Sequence, residues 1–299
     1  MRYDREFDKA LSLCFQNRML EADNILQDII KKYGYLETAL HMQLCICSLS
    51  GELERGKVIL RDIRDHGIWM NPNDLAGDTD LSALRKFHEF QELLNYSKAK
   101  YEESNYKAEM KVFEHNAECR NSCKDIMLIH GRGTNYKEVC ETYLDRTILK
   151  DEHVICIQSA QAYSDDRYCW DDLERSVADI QSILSTYRND KMILAGVSQG
   201  ARVAFDVFLQ TDTISRLLLL IPALVNQKDE LMQPPEAAEG RKIYIISGEK
   251  DMFYTSVKQT YEVIRNKGYD VTMVTMPDCG HFLPDDIDDI LEEGLIFLK

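Results

Sequence analysis

The chain has 299 residues, enough for one large domain or two of ordinary size, and its composition, 44% hydrophobic and 29% charged, is that of a folded protein without long disordered tracts. A net charge of −15 and a pI near 5.0 repel a phosphate backbone, and no Lys/Arg cluster interleaved with aromatics reverses that locally, so nucleic acid is not expected as a partner. The first residues, "MRYDREFDKA", lack the apolar stretch of a signal peptide, which leads to the expectation of a cytoplasmic protein. From residue 3 to about 100 the apolar positions recur at helical spacing. Four helices are predicted, at "DREFDKALSLCFQ", "LEADNILQDIIKKY", "LETALHMQLCICSLS" and "LERGKVILRDIRDH", with turns at Asn17, Gly34 and Gly51. A fifth is predicted around "LSALRKFHEFQELLNYSKAKY".

Within this half, "ILQDI" at 25–29 returns as "ILRDI" at 59–63, an offset of 34 residues, and each copy is preceded three residues earlier by a small residue, Ala22 or Gly56. The period is that of tetratricopeptide arrays, and residues 1–105 resemble such a helical domain; an ordinary four- or five-helix bundle is the other reading. Either form offers a surface for a protein partner or for self-association.

Over 106–299 the pattern changes to short β-rich runs alternating with amphipathic helices. The predicted strands are "EMKVFEH", "KDIMLIH", "HVICIQ", "KMILAGV", "RLLLLIP", "KIYIIS" and "DVTMVTM", several of them apolar on both faces, as buried parallel strands are. The longest apolar run, "LLLLIPALV" at 217–225, is far too short to span a bilayer. Helices fit at "YKEVCETYLDRTI", "DDLERSVADIQSILSTY", "QGARVAFDVFLQ", "TSVKQTYEVIRNKG" and "DIDDILEEGLIFL". The alternation predicts a doubly wound, mostly parallel α/β sheet with ligands at the C-terminal ends of its strands. The nine cysteines read as small buried hydrophobes rather than a disulfide framework, and Cys119 and Cys123 have no companion pair at zinc spacing, so no metal is expected.

Residues 196–200, "GVSQG", fit G-x-S-x-G between a predicted strand and a predicted helix, the context in which a serine stands on a strained turn above the sheet. Ser198 is the candidate nucleophile. A serine hydroxyl needs a base, and His281 in "PDCGHFLPDD" follows the last predicted strand. Asp251, just beyond "IYIISGEK", is the candidate carboxylate that orients the imidazole, with Asp278 and Glu249 as alternatives. The order Ser, Asp, His is that of α/β-hydrolases. "LIHGRGTN" supplies a glycine loop after a strand, so the oxyanion donors are expected to be the amides of Gln199 and Arg132, with Gly131 the alternative to Arg132. The Arg132 guanidinium is also a candidate for holding an anionic substrate group, or else is paired with an acid.

From these motifs the second half resembles the α/β-hydrolase superfamily. "HGRG", "GVSQGA" and "DCGHF" look most like the phospholipase/carboxylesterase and acyl-protein thioesterase branch, with Val197 in place of an aromatic residue and Ala201 in place of a glycine. That resemblance implies a cofactor-free serine hydrolase acting on small-molecule or lipid acyl esters or thioesters, and it makes Trp170 in "YCWDDL" a substrate-pocket residue or a packing anchor. The alternative function is a helical interaction module carrying a hydrolase-fold domain that binds or senses.

Overall fold

The computed structural model describes residues 4–299 apart from 121, 145, 147–148, 188, 190, 225–233 and 285. The chain divides into two units, Met1–Ala108 with Ala162–Arg167, and Glu109–Gln161 with Tyr168–Lys299.

The first unit is built from α1 (Asp4–Phe15), α2 (Met19–Tyr33), α3 (Glu37–Ser50), α4 (Leu53–Asp65), the short α5 (Pro72–Gly77), a 3-10 turn at Thr79–Leu81, and α6 (His88–Lys107). Asn17, Gly34 and Gly51 all take positive φ between the first four helices, so each helix can turn back on its predecessor. The first four helices pack each on the next, and α4 and α5 both pack on α6. Leu44, Leu60, Ile63, Phe90 and Leu93 form one fully buried core, while Ala22, Leu26 and Ile29 anchor another. Both small residues of the repeat sit at close approaches: Ala22 is fully buried, and a Cβ on Gly56 would come 2.7 Å from a Leu84 methyl.

The helix expected over 81–101 begins only at His88 and runs on to Lys107. Residues 82–87 turn instead. The Asp78 carboxylate accepts from the Asp80 amide, and Arg85 donates to the Asp78 carbonyl, so local polar bonds compete with a helical start.

In the second unit the chain forms β1 (Lys111–His115), β2 (Asp125–Ile129), α7 (Tyr136–Leu144) and β3 (His153–Gln158). It then makes a small hairpin of β4 (Ala162–Ser164) and β5 (Arg167–Tyr168), most of which belongs to the first unit. Back in the second unit follow α8 (Leu173–Thr186), β6 (Ile193–Val197), α9 (Gln199–Gln210), β7 (Arg216–Leu220), β8 (Lys242–Gly248), α10 (Tyr254–Asn266), β9 (Asp270–Met276) and α11 (Asp288–Phe297). The helix expected over 136–148 is described as far as Leu144; 145, 147 and 148 lie outside the described residues.

All seven predicted strands join one sheet in the order β1-β3-β2-β6-β7-β8-β9, with β1 antiparallel to β3 and the rest parallel. β2 and β3 are buried along their whole length, as their uninterrupted apolar sequences require. Apolar cores cover both faces: Leu194, Phe205, Leu219 and Ile245 lie on one side, and Ile126, Ile193, Leu218 and Leu291 on the other. The strand order reverses between β2 and β6, so their C-terminal ends open side by side where such sheets bind ligands.

The hairpin, which is not among the strands predicted from sequence, bonds within the first unit: the Asp165 amide donates to the Trp69 carbonyl, Asn105 bonds to both backbone groups of Ala162, and Asn71 donates to the Tyr163 carbonyl. The cysteines bring a second correction. Cys119 pairs with Cys123 and Cys140 with Cys156 as disulfides, at Cα separations of 5.7 and 6.5 Å, because a tight turn and a helix–strand contact juxtapose them. Cys14, Cys45, Cys47, Cys169 and Cys279 stand outside these disulfides.

Candidate active site

Ser198 lies between β6 and α9 with φ 53° and ψ −115°, a conformation that a non-glycine residue adopts only when the surroundings impose it. Its two flanking glycines explain how the turn is achieved. A Cβ on Gly196 would strike the first turn of α9, and one on Gly200 would strike the His130 carbonyl. Without side chains there, strand, helix and the loop after β2 close together, and Ser198 stands at the strand end.

Ser198 Oγ is 2.8 Å from His281 Nε2, and His281 Nδ1 is 2.7 Å from Asp251 Oδ2. The structure thus brings together the three residues chosen from sequence. Asp251 has a fully buried side chain, and its other oxygen accepts the Phe253 amide at 2.8 Å. The Phe253 ring meets the imidazole edge-on at 5.1 Å. Gly248 ends β8 where a Cβ would collide with the Cys279 and Gly280 carbonyls, and the Lys250 amide donates to the Cys279 carbonyl at 2.8 Å. These contacts hold the Asp251 turn against the His281 loop. The alternative acids face elsewhere: Asp278 pairs with Lys250 at 2.7 Å in the open, which holds its carboxyl below the usual range, and Glu249 accepts the Asp278 amide.

The loop after β2 runs beside the serine; a Cβ on Gly131 would lie 3.4 Å from Ser198 Cβ. His130 anchors that loop. It is completely buried, and the Ser159 amide donates to its Nε2 at 3.2 Å, so the proton resides on Nδ1, which donates to the Gly131 carbonyl at 2.6 Å. Burial pulls its pKa from 6.5 down to about 4, keeping the ring neutral. The Gln199 amide, first in α9, has no acceptor among the described residues, as expected of a helix's leading N–H groups.

Two readings were open for the Arg132 side chain and two for Trp170, and the contacts match the second in each case. The Arg132 guanidinium forms two bonds to Asp171, at 2.9 and 3.0 Å, and the Gln199 side chain joins the same carboxylate at 2.8 Å while accepting the Trp170 amide. Burial alone would raise the Asp171 carboxyl, but these hydrogen bonds outweigh it and hold it low. A guanidinium committed in this way is a clamp on the loop rather than an open anion site. Trp170 is 1% exposed, donates from Nε1 to the His130 carbonyl at 2.9 Å and stacks obliquely on His130. It is a packing anchor beneath the loop, not a pocket wall. Asp171 was missed from sequence; the only trace was a second acid just before Asp172, which caps α8.

Residues 2–105 match a family model described as "A/B hydrolase-like, N-terminal domain". Among solved structures, an uncharacterized protein from Bacillus cereus ATCC 10987 is 22% identical, covers 100% of this chain and 99% of its own, and superposes with a TM-score of 0.53. The Bacillus cereus carboxylesterase is 17% identical over 67% of this chain and 100% of its own, with a TM-score of 0.52. Esterase PE8 is 15% identical over 64% and 100%, also with a TM-score of 0.52. No curated protein matches. The chain carries the α/β-hydrolase fold, preceded by an all-helical domain.

Proposed function

We propose that the protein is a serine hydrolase that cleaves carboxylic esters or thioesters through an acyl-enzyme. The observation that carries this reading is the unbroken hydrogen-bond chain from Ser198 through His281 to buried Asp251, beginning at a strained serine. In the proposed mechanism His281 Nε2 takes the Ser198 proton as Oγ attacks the acyl carbonyl, and Asp251 stabilises the imidazolium that forms. The amides of Gln199 and Arg132 donate to the oxyanion, and the neutral His130 ring keeps the loop that carries Arg132 in place. The tetrahedral intermediate collapses, His281 returns the proton to the leaving alcohol or thiol, and water repeats the cycle on the acyl-enzyme. The nearby esterase folds support the choice of acyl chemistry without naming a substrate.

Fluorophosphonate labelling followed by peptide mapping tests this directly. A single adduct on Ser198, absent from Ser198→Ala, is expected; a folded wild-type protein that takes no adduct there refutes the assignment.

A further inference from the structure

In the first unit, away from any residue assigned above, three side chains of different chemistry converge. His41 Nε2 is 2.9 Å from Asp78 Oδ2, Cys45 Sγ is 3.4 Å from the same oxygen, and the three ligand atoms all lie within 4.8 Å of one another. His41 and Cys45 occupy positions i and i+4 of α3, so one helix face presents both. Asp78 comes from the junction between α5 and the 3-10 turn.

We propose that His41, Cys45 and Asp78 form a zinc site whose fourth position is open to water or an added ligand. The donor set is the first reason. An imidazole nitrogen, a thiol sulfur and a carboxylate oxygen suit zinc, whereas magnesium and calcium call for oxygen alone. Geometry is the second. Tetrahedral zinc with ordinary bond lengths separates its N and O ligands by about 3.3 Å and its S and O ligands by about 3.5 Å. The present separations of 2.9 and 3.4 Å need only a small opening to admit the ion.

Charge is the third reason. A thiolate, a carboxylate and a neutral imidazole sum to −2, so Zn²⁺ leaves a neutral centre in a half-buried place. The carboxylate is also already oriented: Asp78 Oδ1 accepts the Asp80 amide at 2.9 Å, leaving Oδ2 for the cluster. Arg85 bonds to the Asp78 backbone carbonyl, not to its carboxylate. Side-chain exposures of 21% for His41 and 27% for Asp78 give an ion a way in. Bound zinc would pin α3 to the segment that precedes α6.

The test uses the full chain, stripped with a chelator and titrated first with zinc and then with cobalt. One zinc per chain is expected, with a rise in melting temperature. Cobalt should give the visible bands of a tetrahedral site and a near-ultraviolet thiolate charge-transfer band. Cys45→Ser and Asp78→Asn should each weaken zinc binding by more than about 100-fold, since even outer-shell changes cost up to that much. Because five cysteines stand outside the disulfides, a thiolate band that survives Cys45→Ser overturns the proposal. So does a wild-type chain that binds no zinc. If Cys45→Ser fails to fold, His41→Gln and Asp78→Asn carry the same comparison, and undiminished binding in both overturns it as well.

Discussion

The imidazole of His281 has a serine on one nitrogen and a carboxylate on the other, and the carboxylate has no solvent to share. Its proposed role is therefore open to a conservative substitution. Asp251→Asn keeps the shape and the Phe253 bond but offers His281 the wrong partner, and it is expected to lower kcat by up to about 10⁴-fold with little change in KM. Near-normal turnover would pass the role to another acid. The three residues were legible in sequence because each follows a strand and the glycines around them have no other use. What the sequence did not reveal was which polar groups were already taken. Arg132 and Trp170 are spoken for by Asp171 and by the His130 carbonyl, and such pairings across 39 and 40 residues leave no local pattern. Cys140 and Cys156, 16 residues apart, are brought together by a helix–strand contact that leaves no local pattern either.

At the scale of elements, the loop after β2 depends on a buried histidine that must stay neutral. Its pKa is about 4 in the fold and near 6.5 in the unfolded chain, so the unfolded state binds the proton first as pH falls. Stability from this group is fully present above pH 6.5 and is lost progressively down to about pH 4. The total is roughly 3 kcal/mol. NMR of the His130 ring should find it uncharged at pH 5.5, and His130→Gln should flatten the fall in stability across that window. A ring titrating near 6.5 would contradict this account. Elements with a continuous burial pattern were legible: the buried strands β2, β3, β6, β7 and β8 declared themselves by apolar runs. The hairpin of β4 and β5 did not, since five residues of strand carry too little pattern and their partners lie far away in sequence. The start of α6 was misplaced because apolar spacing over 81–87 is satisfied equally by buried turns.

For the whole molecule, the unit boundary is crossed three times, after residues 108, 161 and 167. A cut engineered at 107–109 leaves 162–167 bonded within the first unit although it is carried by the C-terminal fragment. The two fragments are expected to elute together under native conditions and to separate only in denaturant; native separation would show that those six residues add little to the first unit. The change in apolar period near residue 106 lies close to the unit boundary after Ala108, but a period has no means of marking a chain that goes back.

That excursion also orders events during synthesis. A helical domain at the start of a chain ordinarily finishes folding as soon as it clears the ribosome. Here the partners of Trp69, Asn71 and Asn105 are not yet translated when Ala108 emerges, and they arrive only after β1, β2 and β3. The first unit therefore gains these last hydrogen bonds only after the first three strands of the sheet have been made.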